Sequence, residues 1–320
     1  MQKEIKFLIN PSEITAGTRG GSLGPFALMS VARKAENYLF GTHEVEIIPD
    51  ENHLLDHPTA HVFAKRIDGL VTIFQRISTA VADTLSDGKF PFVIASDHGS
   101  AGGTIAGIKK QFPNQRLGVI WIDAHGDLHS PYTTPSGNIH GMPLSTALNE
   151  DNLPCKSNDV PSETVQLWNE LKSMHGIAPK IQPEDLVFVA VRDTESQEDA
   201  LIERLGIKNF EVNEVNQKGT KVVAAEILDK LRDCDHIYIS FDVDSMDPEV
   251  TSHGTGTPVP HGLMPQQVID LMDKLIESRK VVCLEFVEIN PCLDEKTNKM
   301  AETAYEILLP ALQKIKEQTH

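Results

Sequence analysis

The six residues FPFVIA at positions 90–95 carry no polar side chain, and the run LVFVAV at positions 186–191 has the same character. A strand with one face in water alternates apolar and polar residues, whereas a strand buried on both faces is apolar almost throughout. Strands of the second kind are typical of parallel sheets that are covered by helices on both faces. The two runs therefore favour an α/β fold.

Eight apolar, β-branched runs along the chain predict strands. They are residues 5–9, 45–48, 90–95, 117–122, 186–191, 209–212, 236–241 and 280–286. Stretches with helical spacing lie between most of them, at residues 27–40, 64–85, 162–174, 221–231, 265–278 and 298–315. This alternation predicts a single domain over residues 1–320, with a doubly wound, mostly parallel sheet of about eight strands flanked by helices. The polar residues 149–163 predict a long loop.

The composition excludes several classes of partner. The 320 residues include 29 Lys and Arg against 46 Asp and Glu, a formal net charge of −17 without a basic cluster. Nucleic acids and anionic membranes bind to basic patches, so neither is expected as a partner. No apolar run approaches the roughly 18 residues that a membrane helix needs, and Lys and Glu interrupt the apolar part of the first twenty residues, which argues against a secretory signal.

The four cysteines, at positions 155, 234, 283 and 292, form no CxxC pair. They are sparse for a chain of this length, so they indicate neither a disulfide framework nor a zinc finger. A reducing, cytoplasmic location is therefore expected.

Acidic residues and histidines follow five of the predicted strands. They are Asp97 and His98; Asp123, His125 and Asp127; Asp193 and Glu195; Asp242 and Asp244; and Glu285 and Glu288. Ligands of open α/β sheets bind beyond the carboxyl ends of the strands. These side chains are therefore candidates for one functional site.

Asp123, His125 and Asp127 form an Asp-x-His-x-Asp run with a period of two. If the backbone stays extended, the three side chains point the same way and converge. Asp242 and Asp244 add two carboxylates by the same spacing, and His98 is a further candidate ligand from a third strand. So many buried carboxylates repel one another strongly unless cations neutralise them.

Mixed oxygen and imidazole ligands suit Mn²⁺ first, with Fe, Co, Ni or Zn as alternatives. Six ligands are too many for one catalytic metal that keeps an open position, so two metals about 3.5 to 4 Å apart are predicted. Either motif alone has another explanation, because an Asp at a strand end also forms turns and caps helices. Glu285 and Glu288 are weaker candidates, since a Glu at a strand end often caps or pairs with a neighbouring base.

Five segments resemble, in order and spacing, the motif blocks of the ureohydrolases, and of arginase in particular. They are SDHGSAGG (96–103), WIDAHGDLHSPYTTPSGNIHGMPL (121–144), SFDVDSMDP (240–248), GTGTPV (254–259) and EFVEINP (285–291). The resemblance extends from about Phe7 to the last predicted helix. It implies the arginase-like three-layer fold and a homo-oligomer, commonly a trimer or hexamer.

The resemblance implies a hydrolase that splits a guanidinium group into urea and an amine, using a hydroxide that bridges two Mn²⁺ ions, with Co, Fe or Ni as other candidate metals. One ion would be held by His98, Asp123, Asp127 and Asp242. The other would be held by Asp123, His125, Asp242 and Asp244. His140 matches the proton shuttle and Glu288 the acid that grips the guanidinium; with Asp127 they are the predicted catalytic residues.

The chemistry agrees with these roles. A guanidinium carbon is a poor electrophile, because its charge is delocalised and its pKa lies above about 12. A strong nucleophile is therefore needed, and two metal ions can supply hydroxide near neutral pH. The leaving amine needs a proton, which a histidine near the metals can relay.

By the same resemblance, the loop after Asp127 recognises the rest of a small guanidino substrate. Thr134, Ser136 and Asn138 would surround an α-carboxylate, and this loop differs from the usual agmatinase and formimidoylglutamase sequences. Asp193 and Glu195 would face the α-amino group, and Thr257 would lie beside Glu288.

The chain also departs from the family pattern. Ala95-Ser96-Asp97-His98-Gly99 stands where Gly-Gly-Asp-His-Ser is usual. His129, also a predicted substrate contact, stands where the family usually has Asn, and Glu195 where it usually has Asp. No metal ligand is lost through these changes.

Three functions remain open at this point. The first is an arginase that converts L-arginine to L-ornithine and urea. The second is a ureohydrolase for another guanidino or amidino compound, such as agmatine, a guanidino acid or formimidoylglutamate. The third is a metal-binding protein without turnover, against which the complete ligand set and His140 argue.

Overall fold

The computed structural model describes residues 2–296 and 298–318, and an eight-stranded sheet lies at its centre. The strands are β1 (Ile5–Asn10), β2 (Glu44–Ile47), β3 (Phe90–Ala95), β4 (Leu117–Ile122), β5 (Leu186–Val189), β6 (Lys208–Phe210), β7 (His236–Asp242) and β8 (Val281–Val287). Their order is β2-β1-β3-β8-β7-β4-β5-β6, and all neighbouring pairs are parallel. The predicted parallel α/β sheet is confirmed.

Helices connect the strands. They are α1 (Gly24–Lys34), α2 (Leu39–Thr42), α3 (Ile67–Ser86), α4 (Ala101–Gln111), α5 (Pro143–Leu148), α6 (Ser162–Lys172), α7 (Ser196–Leu205), α8 (Val212–Lys218), α9 (Thr220–Lys230), α10 (Pro265–Glu277) and α11 (Lys299–Lys316). Within the described residues, none of them combines the length and the apolar character needed to cross a bilayer.

Helices cover both faces of the sheet. Phe7 and Ile9 of β1 pack with α1, α9, α10 and α11, whereas Leu8 between them packs with α3, α4 and α5. Successive side chains of a strand point to opposite faces, so every central strand contributes to two apolar clusters. This three-layer arrangement explains why the strands are apolar almost throughout.

The sequence prediction was wrong or silent at a few elements. Val212 was predicted to end a strand, but β6 ends at Phe210 and Val212 begins α8. Helix α4 was not predicted, because its three glycines lower its helix propensity. They are explained by close packing: a Cβ on Gly107 would lie 2.6 Å from the carbonyl oxygen of Ser78 in α3.

The order of the central strands determines where the functional residues meet. Strands β3, β8, β7 and β4 are consecutive in the sheet, and each is followed by acidic or histidine residues. Because the strands are parallel, their carboxyl ends lie at the same edge of the sheet. Side chains from four distant parts of the chain are thereby brought together.

Candidate active site

The carboxyl ends of β3, β4, β7 and β8 border a cavity of about 380 Å³. It is lined by all the predicted site residues except one: His98, His125, Asp127, His129, Thr134, Ser136, Asn138, His140, Asp193, Glu195, Asp242, Asp244, Thr257 and Glu288. The exception is Asp123, which is fully buried behind the cavity wall and contacts both His98 and His125.

The first group of candidate ligands surrounds His98. Its Nδ1 atom lies 2.9 Å from Oδ2 of Asp123, 3.2 Å from Oδ2 of Asp127 and 3.2 Å from Oδ2 of Asp242. Its Nε2 atom lies 2.7 Å from the hydroxyl oxygen of Ser240 on the other side of the ring. The imidazole is therefore held between a hydroxyl group and three carboxylates.

The second group surrounds His125, whose Nδ1 atom lies 3.2 Å from Oδ2 of Asp244 and 3.4 Å from Oδ1 of Asp123. The Thr257 hydroxyl donates a hydrogen bond to the same Asp244 oxygen at 3.1 Å. Asp123 belongs to both groups, with one oxygen toward His98 and the other toward His125. A shared carboxylate of this kind is what two neighbouring cations require.

Two unsatisfied atoms test whether these residues fit a cation. Nδ1 of His98 and Oδ2 of Asp123 are buried and make no well-aligned hydrogen bond, although they lie 2.9 Å apart. When Nε2 donates to Ser240, Nδ1 presents a lone pair to the carboxylates, which is unfavourable unless a cation lies between them. The donor set therefore fits divalent metal ions.

The backbone brings Asp127 into the first group in an unexpected way. Convergence of the Asp-x-His-x-Asp side chains was predicted on the condition of an extended backbone, but Asp127 has a φ of 51°. The condition of an extended backbone is therefore not met at this residue, and a left-handed turn directs its carboxylate toward His98 instead. Glu288, with a φ of 65°, also follows its strand in this conformation. Such conformations are uncommon for residues other than glycine and occur often at functional sites.

Crowding of buried carboxylates changes their pKa values. Burial and the neighbouring Asp123 raise the pKa of Asp127 to about 6. Burial, together with Asp244 and Asp123, raises the pKa of Asp242 well above its usual value. Burial opposes protonation of His98, but its contacts with three carboxylates raise its pKa well above the usual range. In the metal-free site, bound protons therefore neutralise part of the carboxylate charge that a cation would otherwise neutralise.

His140 and Glu288 lie next to the first group. Oε1 of Glu288 accepts a hydrogen bond from the backbone N–H of His98 at 2.9 Å, and Nδ1 of His140 lies 3.9 Å from the same oxygen. Burial lowers the pKa of His140 to about 4, and the nearby His125 and His98 imidazoles act in the same direction. His140 is therefore neutral at pH 7 in the metal-free protein.

At the other end of the cavity His129 contacts two glutamates. Its Nε2 atom lies 3.0 Å from Oε2 of Glu195 and 3.6 Å from Oε2 of Glu198, and its Nδ1 atom faces the Thr133 hydroxyl at 3.1 Å. Burial opposes protonation of His129, but the two glutamates raise its pKa above the usual value. Burial raises the pKa of Glu198 to about 8. This end of the cavity therefore places an imidazole beside the anionic Glu195.

Lys65 forms two hydrogen bonds to the loop that contains Ser136 and Asn138. The Lys65 ammonium group donates a hydrogen bond to Oδ1 of Asn138 at 3.1 Å, so the amide NH₂ of Asn138 points away from Lys65. The Lys65 backbone N–H also bonds to the Gly137 carbonyl at 2.8 Å. Gly137 has a φ of 75° and its missing Cβ would lie 2.0 Å from the Val62 carbonyl oxygen, so a side chain does not fit here.

Several known arginases are similar to this chain. The family model described as Arginase family matches residues 3–313. The arginase of Bacillus subtilis (strain 168) is 32% identical over 310 residues, covering 96% of this chain and 97% of that protein. A crystal structure of the Bacillus subtilis arginase superposes on this protein with a TM-score of 0.82, and the match covers 97% of this chain and 98% of the crystallised chain.

Two further relatives agree. The arginase of Bacillus caldovelox is 33% identical over 309 residues, or 96% of this chain and 97% of that protein. The arginase of Entamoeba histolytica, solved in complex with L-ornithine, is 28% identical with a TM-score of 0.81 and covers 97% and 100% of the two chains. The chain belongs to the arginase family.

Arginases are hydrolases, so membership of the arginase family identifies the protein as a hydrolase. Its predicted arginase-like three-layer fold is confirmed by the solved relatives.

Three residues at the arginase-family site were missed by the sequence prediction. Glu198 lies three residues after Glu195, and the two form a capping box at the start of α7, a pattern that the sequence contains. Lys65 has no local signal, because its contact with Asn138 spans 73 residues of chain. Arg192 is adjacent to the predicted site residue Asp193. Its guanidinium group donates hydrogen bonds to the carbonyl oxygens of Asp244 and Val259, at 3.0 and 2.6 Å.

Proposed function

We propose that this arginase-family hydrolase converts L-arginine to L-ornithine and urea with two Mn²⁺ ions per chain. One ion would be held by His98, Asp123, Asp127 and Asp242, and the other by Asp123, His125, Asp242 and Asp244. The observation that carries the proposal is Asp123, whose two oxygens face two histidines across two adjoining ligand groups. The groups lie at the floor of a cavity that also contains Glu288 and His140.

Two bound cations would lower the pKa of a water molecule between them and so supply hydroxide near neutral pH. The protein groups around them have to remain unprotonated to act as ligands. The backbone N–H groups of His125 and Asp244 donate to Asp123 and Asp242, both at 2.8 Å, and help to hold these carboxylates in place.

Glu288 is proposed to orient the guanidinium group. One of its oxygens is occupied by the His98 N–H, and the side chain reaches the cavity beside Gly256. A guanidinium presents paired N–H donors that match a carboxylate, so this contact would direct the guanidinium carbon toward the metal ions.

His140 is proposed to carry a proton to the leaving amine. In the metal-free protein burial lowers its pKa to about 4, so a proton on its ring is readily passed on to a more basic amine. It lines the cavity near Glu288, which would bring the substrate nitrogen within its reach.

The other end of the cavity suits an α-amino acid. His129 and the amide NH₂ of Asn138 are donors for an α-carboxylate, with the Ser136 hydroxyl beside them. Glu195, with Asp193 further out, is an acceptor for an α-ammonium group. A solved relative of this chain, the Entamoeba histolytica arginase, binds L-ornithine, which carries both groups.

A second candidate function is favoured by one observation, the direct contact of His129 with Glu195. A donor that is engaged by a glutamate is less free to bind a carboxylate. A substrate without that carboxylate, such as agmatine, or another guanidino or amidino compound, would then be preferred.

Urea release from purified protein loaded with Mn²⁺ tests the proposal across L-arginine, agmatine, guanidino acids and formimidoylglutamate, with formamide measured for the last compound. We expect L-arginine to give the highest kcat/KM, and the Glu288→Gln variant to lose most of this activity. Higher activity on another compound would favour the second candidate. No release from any compound, with metal bound, would favour a metal-binding protein without turnover.

We also propose a cytoplasmic location and a homo-oligomer, either a trimer or a hexamer. Light scattering of the purified protein measures the assembly, and fractionation of cells measures the location.

A further inference from the structure

Behind His98 lies a chain of buried polar side chains that the proposed mechanism does not use. Ser240, Tyr238 and Glu285 are all 0% exposed. Burial of a carboxyl group and a phenol in an apolar layer is unfavourable unless they form hydrogen bonds. Buried polar groups of this kind call for an explanation. Their position next to a candidate metal ligand suggests one.

The sheet brings the three residues onto one face. Ser240 of β7 pairs directly with Glu285 of β8, and Tyr238 precedes Ser240 by two residues, so its side chain points to the same face. The Tyr238 hydroxyl donates a hydrogen bond to Oε2 of Glu285 at 2.5 Å. Ser240 contacts Nε2 of His98 at 2.7 Å.

The donors and acceptors give this chain a direction. Burial and the nearby Glu285 carboxylate raise the pKa of Tyr238 well above its usual value, so the phenol keeps its proton and donates a hydrogen bond to Glu285. Because the Tyr238 proton goes to Glu285, the phenol oxygen is left as an acceptor for the Ser240 hydroxyl, which lies two residues further along the same face of β7. The Ser240 oxygen is then free to accept from Nε2–H of His98.

The direction of each hydrogen bond therefore determines the direction of the next one. Tyr238 donates to Glu285, Ser240 donates to Tyr238, and His98 donates to Ser240. A histidine that is protonated at Nε2 in its neutral form has an unprotonated Nδ1, which is the atom that faces Asp123, Asp127 and Asp242. Carboxylates that act on metal-binding histidines in this way fix the tautomer and the ring orientation.

We propose that Glu285, Tyr238 and Ser240 are positioning residues that hold His98 as a metal ligand through its Nδ1 atom and so set the affinity of the ion it binds. The inference rests on the metal centre of the proposed function, but not on the substrate.

The test is a calorimetric titration of metal-stripped protein with Mn²⁺. We expect Tyr238→Phe and Ser240→Ala each to weaken one of two Mn²⁺ sites by about 10- to 100-fold, the usual effect of losing an outer-shell partner, and to leave the other within about twofold. Because both residues act through one chain, the double variant should be little weaker than the weaker single variant. Tyr305→Phe, a change of the same kind at a buried tyrosine of α11, is the matched control and should bind both ions normally.

A packing role makes a different prediction. It would lower the melting temperature of the metal-free variants and leave both Mn²⁺ affinities within about twofold of the wild type, which would overturn the inference. If Ser240→Ala does not fold, Tyr238→Phe decides alone, since it removes a single oxygen atom. Glu285→Gln adds an intermediate case, because an amide can accept from Tyr238 but carries no charge.

The outcome also distinguishes this inference from the proposed function. If the wild type binds two ions and the variants bind them equally well, only the inference fails. If the wild type binds a single ion that His98→Ala weakens, the binuclear proposal fails, and the variants still test the inference at that ion. If the wild type binds no Mn²⁺, both fail.

Discussion

Nε2 of His129 lies 3.0 Å from Oε2 of Glu195, and the ureohydrolase resemblance implies Asn and Asp at these two positions. An imidazole replaces the shorter amide of Asn, and Glu replaces the shorter Asp, so the two longer side chains meet. The contact lowers the pKa of Glu195 to about 2 and keeps it anionic. The two departures are therefore linked, and we expect them to act as a unit on the substrate.

A double-substitution experiment tests this linkage. His129→Asn and Glu195→Asp alone should each raise KM for L-arginine by about 5- to 100-fold, because each leaves a partner unpaired in the cavity. The double variant should be less impaired than the product of the two effects. Glu195 is half exposed, so stability should change by less than about 1 kcal/mol. Strictly multiplicative effects on KM would show that the pair is not coupled.

Lys65 should affect substrate binding although it does not line the cavity. Lys65→Met removes the hydrogen bond that orients the Asn138 amide, so KM for L-arginine should rise several-fold with little change in kcat. Agmatine, which has no α-carboxylate, should be affected much less. Lys110→Met, at an exposed lysine of α4, is the control. An equal loss on both compounds would indicate a general distortion of the loop.

His140→Ala should lower kcat by about 10²- to 10⁴-fold, the usual range for loss of a proton-transfer group. Its Mn²⁺ content should stay close to that of the wild type, because His140 is not a proposed ligand. Metal analysis and steady-state kinetics of the same preparation check both statements. Turnover at the wild-type rate would remove His140 from the mechanism.

Asp123→Ala should lose both ions, because one oxygen of Asp123 faces each ligand group. His125→Ala should weaken one ion more than the other, since it belongs to the second group alone. Metal content after dialysis against limiting Mn²⁺ distinguishes the cases. Retention of one tightly bound ion by Asp123→Ala would argue against a shared ligand.

Affinity for Mn²⁺ should rise with pH. Burial and Asp123 raise the pKa of Asp127 to about 6, and the pKa values of Asp242 and His98 are also raised, so the metal-free site holds protons that a cation must displace. The apparent affinity should therefore increase through pH 6 and continue to rise above it, with protons released on binding. Titrations in buffers of different ionisation enthalpy count these protons. A constant affinity between about pH 5.5 and 8 would contradict the expectation.

Much of the fold was predictable because burial on both faces leaves a local pattern in the chain. Residues 90–95 and 117–122 are apolar throughout, and each matches an observed strand. Helix α4 was not predicted, because its glycines lower the local helix propensity. These glycines allow close contact with α3, a requirement that only the tertiary structure shows.

The candidate ligands were also found from local spacing. Asp123, His125 and Asp127 stand within five residues, as do Asp242 and Asp244, and strand-end positions direct such side chains to one edge of a parallel sheet. The conformation of Asp127 was not predictable in this way, because its left-handed backbone depends on the surrounding packing.

The sequence by itself determined the alternation of strands and helices, the spacing of the acids and histidines, and the family resemblance, because all three are written in residues close together or in ordered motifs. Only the tertiary structure decided which residues meet. His98 and Ser240 are 142 residues apart in the chain and contact each other because β3, β8 and β7 are neighbours in the sheet. His129 reaches Glu195 because β4 and β5 are neighbours, whereas Lys65 reaches Asn138 from the segment that precedes α3. Contacts between distant segments depend on the order of strands and the packing of whole helices, for which no short stretch of chain carries a signal.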